Sequence, residues 1–155
     1  MGRRAASLEV KMAVKRVSPA EARDLIDKQG YVYVDVRSVP EFAAGHPQGA
    51  YNVPLMNVGP GGMSPNADFM AVMATFPKDA KLVVGCKAGG RSARAAAMLE
   101  SAGYTNVIDQ RAGFEGAPDP ATGRIAEPGW RPAGLPVSTN PSPDRTYEAL
   151  RAARK

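Results

Sequence analysis

With 155 residues, 44% of them hydrophobic, the chain has the length and apolar content of one ordinary domain, which argues against intrinsic disorder. Its net charge of +5 sits at the ends: residues 1–16 carry +4 and 139–155 carry +2, leaving −1 for 17–138, a pattern of solvated tails and not of a nucleic-acid face. A single cysteine excludes an internal disulfide and an all-cysteine metal site, and no apolar run approaches the ~18 residues of a membrane span.

The opening stretch, MGRRAASLEVKM, is Arg-rich but lacks an apolar core, so it does not read as a secretory signal. A cytoplasmic location is the default expectation, with an organellar transit peptide or a cloning remnant left open. Residues 1–16 are expected to be a flexible basic segment, although Met12–Val17 alternates weakly and suggests a first strand. Ser18-Pro19-Ala20-Glu21 reads as a helix start, with Ser at the N-cap, Pro at the first helical position and Glu three residues after the cap. That helix should reach about Lys28 and stop at Gly30. Tyr31–Val36 is a short β-branched run typical of a buried parallel strand. Val39–Ala44 predicts a short helix after Ser38, ended by Gly45, and Ala50–Pro54 a second strand. Asn57–Pro65 is rich in Gly and Pro and reads as a surface loop; Asn66 is expected to cap a helix through Thr75.

Lys81–Gly85 is another buried-strand candidate, followed at once by Cys86-Lys87-Ala88-Gly89-Gly90-Arg91. Ser92–Ala102 is Ala-rich and predicts a helix closed by Gly103, and Thr105–Asp109 a further strand. Strands alternating with helices imply a three-layer α/β domain, its central, mostly parallel sheet of about five strands covered by helices on both faces. Residues 115–143 hold seven Pro and four Gly and predict a loop wrapping the domain, pinned by Trp130. Thr146–Lys155 reads as a short, poorly anchored helix in a C-terminal tail, 138–155.

A strand that ends in Cys, passes through a Gly-containing turn and opens a helix is an arrangement with chemical content. The thiolate is the reactive form of cysteine, and amide N–H groups and a helix N-terminus directed at the sulfur favour it. Gly89 and Gly90 can take positive φ, and the amides from Lys87 to Ser92 can then form a nest above the sulfur. Arg91 adds a fixed positive charge and Lys87 a mobile one. Cys86 is thus the expected nucleophile, with Lys87, Ala88, Gly89, Gly90, Arg91 and Ser92 as the expected binding loop.

Residues 17–137 resemble the rhodanese-like domain in four stretches. These are Asp35-Val36-Arg37 with Glu41-Phe42; Gly45-His46 followed by Gly49-Ala50-Tyr51-Asn52-Val53-Pro54; Cys86 through Ser92; and Gly113-Phe114 with Trp130 and Gly134-Leu135-Pro136. The chain departs from the family pattern at Pro47, at Ala112-Gly113 and in a Pro/Gly-rich insertion, Ala117–Gly129. In the sister phosphatase families five residues separate Cys from Arg. Here only Lys87, Ala88, Gly89 and Gly90 intervene, and by that resemblance the tighter loop suits sulfur over a phosphoryl group.

The resemblance implies a single-domain thiosulfate sulfurtransferase that carries sulfur as a Cys86 persulfide, from a small donor such as thiosulfate to a thiophilic acceptor (cyanide, a thiol or an acceptor protein). It implies no metal or organic cofactor, no nucleic acid and no membrane. A sulfur-carrier or non-catalytic binding module is the alternative, and a phosphatase or arsenate reductase a more distant one. Asp35, Arg37 and Glu41 are expected to support the loop, with Arg91 locked onto Asp35 or Glu41. His46, Phe114 and Trp130 are expected to have structural roles, and Lys87 to lie at the pocket mouth.

Overall fold

The computed structural model describes residues 14–153. Most of the expected flexible N-terminal segment, residues 1–13, and the last two residues lie outside that range. Five strands make the central sheet: β1 (Lys15–Val17), β2 (Val32–Asp35), β4 (Tyr51–Asn52), β7 (Leu82–Gly85) and β8 (Val107–Gln110). Their order is β1-β8-β7-β2-β4, and every neighbouring pair is parallel. A parallel sheet needs cover on both faces, and the alternation along the strands shows it. Val34, Leu82 and Val84 point into one apolar cluster, whereas Tyr33 and Val83, at intervening positions, point into the other.

The first cluster is closed by α3 (Phe69–Met73), α4 (Gly90–Ser101) and α5 (Tyr147–Ala153). Helix α4 buries Ser92, Ala95, Ala96 and Leu99, one stripe at helical spacing. The second cluster is closed by α1 (Pro19–Gln29), by Phe42 of α2 (Val39–Ala44), and by Phe114 and Trp130. Both α1 and α2 start in capping boxes, Ser18 with Glu21, as read from sequence, and Ser38 with Glu41, where sequence indicated only a helix after Ser38. Helix α1 ends at Gly30 in the left-handed region, as expected of a glycine C-cap.

Several expectations are corrected. Asn57–Pro65 is no irregular loop but an antiparallel hairpin of β5 (Met56–Gly59) and β6 (Gly62–Pro65), because Gly62 supplies the positive φ of the turn. Asn66 does not cap α3. Its side chain accepts from the Asp68 amide at 3.0 Å, an Asx turn that delays the helix to Phe69. The stretch 115–143 contains a second hairpin, β9 (Gly116–Pro118) with β10 (Ile125–Pro128), and a strand β11 (Val137–Ser138) paired with β3 (His46–Pro47). Trp130 does pin it: the indole Nε1 donates to Pro136 O at 2.7 Å, and the ring packs edge-on to Tyr33.

The expected C-terminal tail is packed. Tyr147 and Leu150 of α5 are buried in the first cluster, and Asn66 Nδ2 donates to Tyr147 Oη at 2.9 Å. Two apolar residues three apart suffice, because they present one face. Two of the cations assigned to solvated ends are likewise engaged: Arg16 with Asp109, and Arg145 with Gly49 O at 2.7 Å. No helix among the described residues is long and apolar enough to cross a membrane.

Candidate active site

Cys86 directly follows β7 at the carboxyl end of a central strand, where open α/β sheets gather their ligand sites. It is 2% exposed. The chain then turns through Lys87 and Ala88, both exposed, to Gly89, the N-cap of α4. Gly89 has φ +103°, and a Cβ there would lie 2.3 Å from Arg111 O, so both torsion and space demand glycine. Gly90, expected to share that freedom, is instead the first helical residue and has no positive φ. The turn directs the Gly89 amide at the Cys86 sulfur, 3.1 Å away. Ser92 Oγ lies 3.6 Å from the same sulfur.

Two braces hold this loop. On the outer side Arg91 grips Glu41 through two hydrogen bonds, Nη1–Oε1 at 2.7 Å and Nη2–Oε2 at 3.1 Å. Sequence left Asp35 and Glu41 open as partners; the structure assigns Glu41. The same carboxylate closes the α2 capping box through the Ser38 amide. Burial alone would raise the Glu41 carboxyl, but the bonds from Arg91 and Ser38 outweigh it and hold the group at about 2. Those bonds in turn raise Arg91 above its ordinary value.

On the inner side lies the segment after β8. Phe114 N donates to Cys86 O at 2.7 Å and Glu115 N to Lys87 O at 3.0 Å. Gly113, at φ +72°, packs so closely that a Cβ would lie 2.4 Å from Lys87 O. Gln110 shapes this turn, its Oε1 accepting from the Ala112 and Gly113 amides and its Nε2 donating to Gly113 O. Sequence reading missed Gln110. An amide side chain directly after a strand candidate and two residues before an Ala-Gly pair was the available signal.

Asp35 does not touch the loop. It binds Arg37, whose guanidinium also donates to Gly45 O at 2.6 Å and lies over the Phe114 ring. Burial pushes the Asp35 carboxyl up, only partly offset by Arg37. Arg37 is 4% exposed and spends its donors on this frame. His46 is buried and stacked on Phe42, and its Nδ1 meets Phe42 O at 2.7 Å. It is a structural residue, as the sequence implies.

A cleft of about 280 Å³ opens beside the loop, lined among others by Arg37, Glu41, Lys87, Phe114 and Arg131. Lys87 is exposed and has no ion-pair partner among the described residues. A larger groove, about 790 Å³, runs between α2 and α5 and touches no residue of the Cys86 loop. Of the two, only the smaller cleft is lined by a residue of the Cys86 loop, Lys87.

A family model described as rhodanese-like domain matches residues 18–117. This chain belongs to the rhodanese-like family. It is 46% identical over 99 residues to thiosulfate sulfurtransferase 16, chloroplastic, of Arabidopsis thaliana, a match covering 63% of this chain and 82% of that protein. It is 39% identical over 101 residues to the thiosulfate sulfurtransferase GlpE of Pseudomonas fluorescens, covering 65% and 82%. The crystal structure of Rv0390 from M. tuberculosis superposes with a TM-score of 0.66 at 29% identity, covering 82% of this chain and 98% of the other.

Proposed function

We propose that this chain is a sulfurtransferase that moves a sulfane sulfur from a donor such as thiosulfate to a thiophilic acceptor, cyanide or a thiol, through a persulfide on Cys86. The observation that carries the reading is the Gly89 amide, 3.1 Å from the sulfur, on a loop braced on both sides. A backbone donor held in that position favours negative charge on sulfur without any side chain having to move.

The Cys86 thiolate attacks the outer sulfur of thiosulfate. A sulfur–sulfur bond forms to Sγ, the bond to the sulfonate sulfur breaks, and sulfite leaves with its electron pair. The terminal sulfur of the persulfide then carries the negative charge. Cyanide or a thiolate takes that sulfur in the second half and returns the Cys86 thiolate. Lys87, at the cleft mouth, attracts the dianionic donor, and Ala88, Gly90 and Ser92 complete the wall around the sulfur. Arg91 acts by holding the loop through Glu41, and Asp35 with Arg37 supports the neighbouring wall. A covalent carrier of this kind gives ping-pong kinetics.

The test is intact mass after thiosulfate treatment, with and without subsequent cyanide, on the wild type and Cys86→Ser. One added sulfur on the wild type alone, lost to cyanide as thiocyanate, is the expected result. No gain with thiosulfate or mercaptopyruvate refutes transfer from small donors and leaves the carrier or binding-module role. Hydrolysis of an aryl phosphate would replace both readings by a phosphatase.

A further inference from the structure

The chemistry above leaves one buried charged group unused. Asp109, on β8, is 1% exposed, and both its oxygens are engaged. Oδ2 accepts from Arg16 Nε at 2.8 Å, and Oδ1 lies 2.6 Å from Ser92 Oγ. The same hydroxyl oxygen is 3.3 Å from Gly89 O and 3.6 Å from Cys86 Sγ.

A serine hydroxyl has one hydrogen, and three acceptors surround it here. The contact to Asp109 has the length of a charge-assisted O–H···O⁻ bond, whereas the other two are long. The hydrogen therefore points at the carboxylate, and the lone pairs of Ser92 Oγ face the Cys86 sulfur. Towards a thiol this arrangement is welcoming, because the lone pair accepts S–H. Towards a thiolate it is repulsive, with a carboxylate behind it. The Gly89 amide acts in the opposite sense on the same atom.

We propose that Asp109 is a positioning residue that works through Ser92 to disfavour negative charge on Cys86 Sγ, and so favours the persulfide, whose charge lies one atom further out. The inference rests on the sulfurtransferase reading for its purpose, though not for its electrostatics. In loading, Sγ changes from an anion into a neutral bridging sulfur, and the charge passes to the terminal sulfur as sulfite departs. The lone pair of Ser92 opposes the first of these states and barely touches the second. The other ionisable groups near the sulfur are committed elsewhere or neutral. Arg91 is held by Glu41 and Asp35 by Arg37, the buried Tyr33 phenol is pushed up by its burial, and Lys87 is exposed. Arg16, on β1, moderates the device, because it neutralises Asp109 and its guanidinium also borders Gly89.

The test is the pH profile of Cys86 alkylation by iodoacetamide, read by intact mass, for wild type, Asp109→Asn, Arg16→Gln, Ser92→Ala and the Ser92→Ala/Asp109→Asn pair. Asp109→Asn is expected to shift the profile about one pH unit lower, since the carboxamide donates to Ser92 Oγ and frees the hydroxyl hydrogen for the sulfur. Arg16→Gln is expected to shift it higher, and Asp109→Asn to lose most of its effect in the Ser92→Ala background. A profile for Asp109→Asn that is unchanged or shifted higher overturns the proposal. Should that variant fail to fold, Arg16→Gln decides, because its side chain is half-exposed, and an unchanged or lower profile overturns the proposal equally. In parallel, at a fixed thiosulfate-to-sulfite ratio and a pH above both alkylation midpoints, where reduced Cys86 is thiolate, the persulfide-to-thiolate ratio of Asp109→Asn should fall about tenfold; a rise or no change refutes the link to loading. Alkylation needs no sulfur donor, so the electrostatic result stands apart from the transferase reading. Failure of the wild type to gain sulfur sinks that reading alone.

Discussion

Gly113→Ala tests whether the active loop depends on the segment behind it. In the structure Gly113 has φ +72°, and a Cβ would lie 2.4 Å from Lys87 O, 2.5 Å from Lys87 C and 2.7 Å from Cys86 O. Carbon–oxygen contacts of about 3.3 Å are already close, so the Cys86–Lys87 backbone would have to retreat by about 0.9 Å. That retreat stretches the bonds from Phe114 N to Cys86 O and from Glu115 N to Lys87 O, each worth about 1 kcal/mol. The left-handed backbone costs an alanine about 1–2 kcal/mol more. Together the substitution should destabilise the fold by about 3–4 kcal/mol. A nucleophile displaced by close to 1 Å should also lose about 10²-fold in kcat/KM.

Gly30→Ala is the matched control. It has φ +77° and nothing within 4 Å of its Cβ position, so it should lose only the backbone term, about 1–2 kcal/mol, with transfer intact. Urea denaturation and thiosulfate–cyanide kinetics on both variants separate the steric contact from the torsion. If Gly113→Ala loses no more stability than Gly30→Ala and transfers sulfur at the wild-type rate, the inner brace plays no part in placing Cys86.

Glu41→Gln should weaken the fold in a pH-dependent manner. The Glu41 carboxyl falls from 4.5 in the unfolded chain to about 2 in the fold, so its contribution, on the order of 2 kcal/mol after solvent screening, is complete above about pH 5 and lost as pH falls through 2. Urea midpoints at pH 7, 4 and 2.5 check this, and a wild-type-to-variant gap that stays constant or widens on acidification contradicts it. Leu150→Ala should cost about 2 kcal/mol in urea denaturation without altering transfer, whereas a loosely tethered helix would register no change. Lys87→Ala should raise KM for thiosulfate severalfold at low ionic strength, leave kcat nearly unchanged and converge on the wild type at high salt. A lowered kcat at saturating donor would instead place Lys87 in the chemical step.

The sequence disclosed what is encoded locally. The Ser18 helix start, the Gly30 stop and the β-branched strands came from patterns spanning a few residues, and the structure places them within a residue or two. The Cys86 loop was legible for the same reason, since a strand, a Gly turn and a helix start lie consecutively. Pairings across long separations were not. Arg16 meets Asp109 across 93 residues, and nothing in a basic N-terminal stretch distinguishes a strand residue facing a buried carboxylate from a solvated arginine. The anchoring of α5 was missed because its apolar share is low overall, yet Tyr147 and Leu150 share one face. The hairpin at 56–65 was hidden by its glycines and prolines, which mark a turn without showing that the flanks pair.

The braces also account for the insertion between Phe114 and Trp130. The chain there leaves the site as β9 and returns as β10, and both ends are fastened: Arg111 holds Glu127 through two bonds at 2.9 Å, and Arg131 holds Glu115. Trp130 N donates to Gly113 O and Arg131 N to Phe114 O, so the returning strand lands on the residues that brace Cys86 and Lys87. A long excursion costs little in closure entropy once its ends are pinned, because that cost grows only with the logarithm of length. The excursion places Arg131 at the rim of the cleft beside the Cys86 loop, which on the sulfurtransferase reading proposed above is where donors and acceptors enter. Cys86 and Lys87 are thus held by a strand end and by backbone contacts, while part of the cleft rim is set by Glu115 and Arg131, side chains at the two ends of the β9–β10 excursion.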